Sequence, residues 1–365
     1  MNPKPKNSRS NKLSLLQVFA LLFLLCEILF LNSKSIWQHC IESASLSLSH
    51  YDGPSRIYPA KIFPCLKGSS LFTMDRSRKE GIIYKVLPWT DEDIVASAVM
   101  KMSKMHLDND RCQAHLDKRG NAHEYAQRRE RNTFLFTFLR EPTGRAIEEF
   151  FVQDVSRDKV DPTDQYFRLM LETPSRKNQD RYLRSLTFEA LAHEQENKHQ
   201  VVNNILFGYD FIGITERMDE SLVVMKILLG LETSDILYLP DPGPFKPWYF
   251  NETTILCNFR GIEPFVSKNM SQFIESESWR NKVGADTLLF QAANRSLDLT
   301  ISALGKDLVR NELRDFYQTM EAAQKNCRTV FPCTASGVFS PQNDCLQQDL
   351  GCGLNCLDRL VHPLA

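Results

Sequence analysis

The sequence predicts an α/β domain in which a parallel β-sheet is flanked by helices. Three short apolar runs are typical of buried strands, and each is followed by a polar turn and a segment with helical periodicity. Strands that alternate with helices in this way form parallel sheets covered on both faces. The predicted strands are Ile82–Leu87, Phe134–Leu139 and Phe211–Ile214, and the helices that follow them are Ile94–Met105, Ala146–Val155 and Glu220–Leu231.

The overall composition is that of a globular protein. The chain has 365 residues, of which 42% are hydrophobic and 24% are charged, and these values exclude a disordered or collagen-like chain. The 44 lysines and arginines nearly balance the 45 acidic residues. No block of like charges is long enough to follow a phosphate backbone, so a nucleic-acid partner is not expected.

An apolar segment near the N-terminus predicts a membrane anchor. Residues 13–31 read LSLLQVFALLFLLCEILFL, which as a helix is just long enough to cross a hydrocarbon core of about 30 Å. Basic side chains precede this segment, so the positive-inside rule leaves residues 1–12 in the cytoplasm and the rest of the chain in the lumen. A cleaved signal peptide is the alternative, but the NSKSIW sequence that follows is a poor cleavage site.

The remaining chain divides into a stem, a folded domain and a tail. Residues 32–80 are punctuated by Ser and Pro without a sustained apolar period, and we expect them to space the domain from the bilayer. The domain is predicted at residues 81–325. Two long helical patterns close it, Ala285–Leu304 and Lys306–Lys325, with Gly305 as the break between them.

Sequons and cysteines agree with a lumenal compartment. Three Asn-x-Ser/Thr sequons predict N-glycosylation, at Asn251, Asn269 and Asn294. Five cysteines crowd residues 326–365, and in an oxidising lumen such a loop-rich segment is typical of a disulfide-stapled tail. A zinc site is the alternative, although the sequence lacks the paired CxxC motifs of a zinc ribbon.

The turn after the second predicted strand carries the clearest sign of chemistry. Arg140 follows the strand, Pro142 suits the first turn of a helix, and Arg145 lies one turn further on. An arginine at a strand end beside a helix N-terminus can clamp a phosphate or another oxyanion. The alternative is that both arginines pair with the nearby carboxylates of Glu141, Glu148 and Glu149.

At these residues the sequence resembles a known family. The segment FLREPTGRAIEEFF is similar to the 3′-phosphate-binding segment of the membrane-bound carbohydrate sulfotransferases, in which Arg-Asp-Pro, two variable residues, Arg and a later Ser follow an apolar strand. Tyr209–Leu231 and Leu288–Ile301 also resemble that family, in the same order. With the preceding strand, the resemblance covers about residues 82–311.

The resemblance implies a P-loop-like sulfotransferase fold in a single-pass type II Golgi membrane protein. Such a protein transfers the sulfuryl group of 3′-phosphoadenosine 5′-phosphosulfate (PAPS) to a hydroxyl of a glycan or glycoprotein, without a metal. By position, Arg140 would hold the 3′-phosphate and Arg145 would support that site. Lys85, in the first turn, would position the donor and assist the transfer. His106, with His115 and His123, is a candidate base for the acceptor hydroxyl.

Two departures from the family pattern suggest a second hypothesis. The turn after the first strand lacks Gly and Ser, and Asp91, Glu92 and Asp93 stand where an anion should bind. Glu148 stands where the family has its serine. Two like charges 4 Å apart repel by about 4 kcal/mol at an effective dielectric constant near 20. The chain is therefore either an active sulfotransferase or a descendant of that fold that binds glycans or proteins without catalysis.

A third hypothesis is a metal-dependent glycosyltransferase. Asp91-Glu-Asp93 and Asp108-Asn-Asp110 both fit the short D-x-D pattern that holds a divalent metal and a sugar nucleotide. Carboxylates are suitable ligands for Mg²⁺ or Mn²⁺. The pattern is short and therefore unspecific in a chain with 45 acidic residues.

Overall fold

The computed structural model describes the folded domain and part of the flanking segments. The described residues are 53–61, 81–90, 92–106, 113–117, 125, 128, 130–173, 180–187, 197–238, 245–251, 254–260, 264–327 and 356–357. The predicted cytoplasmic tail and membrane anchor lie outside them. Within the described residues, no helix combines the length and the apolar character needed to span a membrane.

Four parallel strands form the central sheet. They are β1 (Gly81–Lys85), β2 (Gln113–Asp117), β3 (Thr133–Leu139) and β4 (Phe211–Ile214), in the order β2-β1-β3-β4. The three strands predicted from the sequence are confirmed as β1, β3 and β4. The short strand β2 was not predicted, because QAHLD offers only two apolar residues and lies at the edge of the sheet.

The sheet is buried because its strands are apolar along their whole length. Every residue of β1, β3 and β4 is buried. The ring of Tyr84 stacks on that of Phe136 at 5.1 Å between centroids. Gly213 leaves room for Phe138, since a Cβ at that glycine would approach the phenylalanine ring to 2.5 Å. The sequence thus builds a rigid sheet whose strand ends can hold functional side chains.

Helices connect and flank the strands. Helix α1 (Glu92–His106) lies between β1 and β2. After β3, helix α2 (Pro142–Glu149) continues into a π-helix (Phe150–Arg157). Helices α3 (Asp164–Glu172), α4 (Arg181–Leu186) and α5 (Lys198–Gly208) then lead to β4.

Helix α2 begins four residues earlier than its periodicity predicts. Glu141 is the N-cap, and its carboxylate accepts a hydrogen bond from the backbone N–H of Gly144 at 2.6 Å. Pro142 takes the first helical position, where a missing N–H has no cost. The cap and the proline, rather than the apolar pattern, therefore set the start of this helix.

The C-terminal half consists of a hairpin and long helices. After α6 (Met218–Leu229) come an antiparallel pair, β5 (Phe245–Asn251) and β6 (Thr254–Arg260), and helix α7 (Lys268–Ile274). The last two helices are α8 (Glu277–Leu304) and α9 (Lys306–Asn326). The predicted break between them is confirmed, because Gly305 adopts φ 98°.

Part of the predicted stem belongs to the folded domain. The backbone N–H groups of Arg56 and Tyr58 donate to the hydroxyls of Ser296 and Thr300 in α8, at 3.0 and 2.9 Å. The Tyr58 side chain is buried and its ring packs against that of Phe211. Residues 53–61 are therefore not a free spacer, because side chains of α8 satisfy their backbone.

A disulfide joins the tail to the last helix. Cys327, which follows α9, is bonded to Cys356, 29 residues further along the chain. This bond agrees with the predicted disulfide-stapled tail. The tail cysteines at 333, 345 and 352 lie outside the described residues.

Candidate functional site

The strand order defines where a ligand is expected. In the strand order, β2 follows β1 in one direction across the sheet, whereas β4 follows β3 in the opposite direction. In open parallel sheets, ligands bind at the carboxyl ends of the strands where the connections diverge in this way. The candidate site therefore lies at the carboxyl ends of β1 and β3, next to the turn that follows β4.

Lys85 ends β1 and is buried at this edge. Its ammonium nitrogen lies 3.2 Å from a carboxylate oxygen of Asp117, the last residue of β2, and both side chains are less than 10% exposed. The hydroxyl of Thr137 in β3 donates to the carbonyl of Lys85 at 2.7 Å. The sequence analysis placed Lys85 in the turn after the first strand, whereas it is the last residue of β1. Asp117 was missed, since β2 was not recognised as a strand.

The turn after β1 has an unusual backbone. Trp89 is half-buried and adopts φ 67°, a left-handed conformation that glycine normally supplies. The hydroxyl of Thr90 donates to the carbonyl of Leu87 at 2.7 Å, and the carbonyl of Thr90 accepts from the hydroxyl of Thr215 at 3.2 Å. The turn is therefore fastened to the turn that follows β4, although it contains no glycine.

Arg140 follows β3 and pairs with Glu148. One guanidinium nitrogen of Arg140 forms an ion pair with the Glu148 carboxylate, and the two side chains are 19% and 28% exposed. The arginine therefore stands at the end of β3, where the sequence analysis placed it. Its counter-ion is a carboxylate of the same chain.

Arg145 lies inside the domain. Its side chain is fully buried, and a guanidinium nitrogen lies 3.2 Å from a carboxylate oxygen of Glu149. Arg181 donates to the same oxygen at 2.7 Å, so two arginines share one carboxylate. The guanidinium of Arg145 also lies over the ring of Tyr182. Arg145 is thus placed to support the site from within rather than to meet a ligand at the surface.

Two carboxylates occupy the N-terminus of α2. Glu141 accepts from the N–H of Gly144, and the backbone N–H of Glu141 donates to the carboxylate of Glu216 at 2.7 Å. Negative charge is favourable here because the N-terminus is the positive end of the helix dipole. The carboxylates of Glu141 and Glu216 therefore occupy the helix N-terminus, where an anionic ligand would otherwise bind.

Asp286 connects α8 to this region. One of its carboxylate oxygens accepts from the backbone N–H groups of Tyr182 and Leu183, at 2.9 and 3.3 Å. The other oxygen is buried and has no hydrogen-bond partner among the described residues. Burial raises the pKa of Asp286 to about 7, although the positive charge of Arg145 opposes the shift. No sequence pattern indicated this residue, because its contacts come from distant segments.

The sheet topology separates His106 from the site. Helix α1 starts near the carboxyl end of β1, and His106 is its last residue. Fifteen helical residues extend about 21 Å, so His106 lies near the opposite edge of the sheet. The backbone therefore does not bring His106 to the candidate site, and its role as the base stays a prediction. His115 lies within β2, and His123 is outside the described residues.

The three sequons differ in their surroundings. Asn269 is exposed in α7, whereas Asn294 is 6% exposed in the middle of α8. The side-chain oxygen of Asn294 accepts a hydrogen bond from Arg217. Because Asn294 is buried, we expect no glycan at this position in the folded protein. Asn251 ends β5.

The described residues contain no group of three or more side chains suited to hold a metal. Of the two D-x-D motifs, Asp91 and residues 108–110 lie outside the described residues.

Comparisons with known proteins give no match. No family model, no curated protein and no solved structure matches the chain at a significant level. A function must therefore be argued from the residues and geometry of the chain itself.

Proposed function

We propose that this chain is a PAPS-dependent sulfotransferase that acts on a glycan hydroxyl in the Golgi lumen, anchored by residues 13–31. The observation that carries the proposal is the strand order, because it makes β1 and β3 neighbours. Lys85 and Arg140 therefore end adjacent strands at the point where open parallel sheets bind nucleotides. The resemblance of three segments to carbohydrate sulfotransferases supports the same reaction.

The proposed reaction is an in-line transfer of the sulfuryl group. The acceptor oxygen forms a bond to sulfur, the bond between sulfur and the 5′-phosphate oxygen breaks, and the hydroxyl proton leaves to a base. The product nucleotide is 3′-phosphoadenosine 5′-phosphate (PAP). Arg140 would hold the 3′-phosphate, while Lys85 and the turn after β1 would orient the 5′ end. Positioning and charge stabilisation are the main contributions of a protein to such transfers.

The compartment in this proposal rests on two features. The disulfide between Cys327 and Cys356 is typical of an oxidising lumen. The apolar segment at residues 13–31 and the basic residues before it predict that the domain is lumenal. PAPS-dependent transfer to glycans of secretory proteins requires the same placement.

The ion pairs of the site favour a second candidate, a glycan- or protein-binding domain without catalysis. Lys85 pairs with Asp117, and Arg140 pairs with Glu148. A phosphate bound at Arg140 would either displace the Glu148 carboxylate or lie beside it, and both arrangements lower affinity. If that loss of affinity is large, the domain still folds but no longer binds PAPS.

Titration calorimetry of PAP against the full-length chain in detergent separates the two candidates, with Arg140→Ala as the control. Radiolabelled PAPS and a panel of glycans then report transfer. PAP binding that is lost in Arg140→Ala, together with sulfate transfer, supports the enzyme. The absence of PAP binding at millimolar nucleotide contradicts the enzyme and favours the binding domain.

A further inference from the structure

The peptide group between Arg140 and Glu141 is held on both sides by side chains. The hydroxyl of Tyr182 donates to the carbonyl of Arg140 at 2.9 Å. On the other side, the N–H of Glu141 donates to the carboxylate of Glu216 at 2.7 Å. The C=O and N–H of a trans peptide point in opposite directions, so these two bonds together fix the rotation of the peptide plane.

Tyr182 is itself held in place from three directions. Its side chain is 1% exposed, and its backbone N–H donates to Asp286 of α8. The guanidinium of Arg145 lies 5.4 Å from the centre of its ring. The N-cap residue of α4, Asp180, makes no side-chain capping bond, so Asp286 serves the start of that helix instead. The position of the Tyr182 hydroxyl is therefore fixed, so it can hold the Arg140–Glu141 peptide in one orientation.

The clamped peptide lies where a strand becomes a helix. It connects Arg140, the residue after β3, to the N-cap of α2, and so it sets the direction in which α2 leaves the sheet. Glu148 is carried by α2, whereas Arg140 belongs to the strand end. The orientation of this one peptide therefore controls the position of the Arg140 guanidinium relative to Glu148 and to the end of β1.

We propose that Tyr182 and Glu216 are positioning residues that hold the Arg140–Glu141 peptide and thereby aim Arg140 at an anionic ligand. This inference rests on the proposed function for the identity of that ligand. The two residues lie on separate elements, α4 and the turn after β4, so each bond can be removed alone.

The test uses the full-length chain and four variants. Tyr182→Phe removes only the hydroxyl that binds the Arg140 carbonyl. Glu216→Ala removes the acceptor for the Glu141 N–H, whereas Glu216→Gln keeps an acceptor oxygen. Tyr58→Phe is the matched control, because Tyr58 is an equally buried tyrosine that packs on Phe211 at the start of β4.

Three measurements are compared: amide hydrogen exchange of residues 141–145, labelling of Arg140 by phenylglyoxal, and the Kd for PAP. Tyr182→Phe and Glu216→Ala are expected to raise the exchange and labelling rates about tenfold and the Kd for PAP by a similar factor. Glu216→Gln should keep the wild-type exchange rate within about threefold. Tyr58→Phe should change none of the three.

Unchanged exchange and labelling in Tyr182→Phe would overturn the clamp. Faster exchange with an unchanged Kd for PAP would overturn the positioning role. If the wild-type chain fails to bind PAP while both ligand-free rates rise as expected, the donor assignment fails and the clamp on Arg140 stands.

Discussion

Glu148 and Glu149 are neighbours in sequence but serve different arginines. Glu148 is partly exposed and pairs with Arg140, while Glu149 is buried and pairs with both Arg145 and Arg181. Exposed pairs contribute little to stability, whereas removal of one partner from a buried pair leaves an uncompensated charge. We therefore expect loss of Glu148 to affect mainly ligand binding at Arg140, and loss of Glu149 to affect mainly the stability of the fold.

We expect Glu149→Gln to lower the free energy of unfolding by about 3 kcal/mol, because Arg145 would keep its charge without this counter-ion. Glu148→Gln should lower it by only about 1 kcal/mol, since the Arg140 and Glu148 side chains are 19% and 28% exposed. Urea unfolding of the two variants checks both values. Equal losses in the two variants would contradict the distinction.

The buried carboxyl of Asp286 predicts a pH dependence. Its pKa is raised from 3.8 to about 7, so the folded state holds the proton more tightly than the unfolded state does. Its contribution to stability is therefore fully present below about pH 4 and is lost as the pH rises to about 7. Arg145 and Asp180 are the charged groups that act on it, while Leu183 and Tyr182 act through their backbone N–H groups.

Between pH 5 and pH 7.5, the wild-type chain should lose about 2 kcal/mol more stability than Asp286→Asn, which cannot ionise. Urea unfolding at the two pH values measures the difference. A parallel pH dependence in both proteins would show that Asp286 does not titrate in this range.

At the level of elements, the hydrophobic pattern predicted the features that depend on neighbouring residues in the sequence. Strand β4 and the break at Gly305 were predicted to the residue, because apolar runs and glycine act through their immediate neighbours. The apolar period placed the start of α2 four residues late, whereas Pro142 had indicated the first turn correctly. Strand β2 was missed because an edge strand needs few apolar residues. The position of His106 at the far end of α1 could not be predicted, because the path of α1 depends on the sheet topology.

The candidate site was predictable only in part. Arg140 and Lys85 were found because they follow recognisable strands. Their partners were harder to find, since Asp117 and Asp286 act across the fold. Asp286 binds Tyr182 across 104 residues of sequence. Single-sequence patterns carry no signal for such contacts.

The burial of Asn294 in helix α8 leads to a prediction about glycosylation. Asn294 is buried within this helix and bonded to Arg217, whereas Asn269 is exposed on α7. Mass spectrometry of glycopeptides from the secreted or microsomal protein should find a glycan at Asn269 and none at Asn294. An occupied Asn294 in folded protein would contradict the packing of α8.

For the whole molecule, described residues before β1 and after α9 are bonded to the domain. Residues 53–61 bind α8 through Arg56 and Tyr58, and the disulfide returns Cys356 to the end of α9. Residues 53–61 and Cys356 are therefore both connected to the folded unit that holds the candidate site.

Removal of the disulfide should destabilise this unit. A cross-link across about 29 residues restricts the unfolded chain and contributes roughly 3 kcal/mol in the loop-entropy model. The double variant Cys327→Ser, Cys356→Ser should lose about that much in urea unfolding. A loss below about 1 kcal/mol would show that the tail is held by other contacts.

The central claim is that the carboxyl ends of β1 and β3 form a donor nucleotide site in which Glu148 opposes the 3′-phosphate. Calorimetric titration of PAP into the wild-type chain and into Glu148→Ser tests it most directly, with adenosine 5′-phosphate as the ligand that lacks the 3′-phosphate. Removal of the carboxylate should tighten PAP binding by about tenfold and leave adenosine 5′-phosphate unchanged. Equal changes for both nucleotides, or no binding to either protein, would contradict the account.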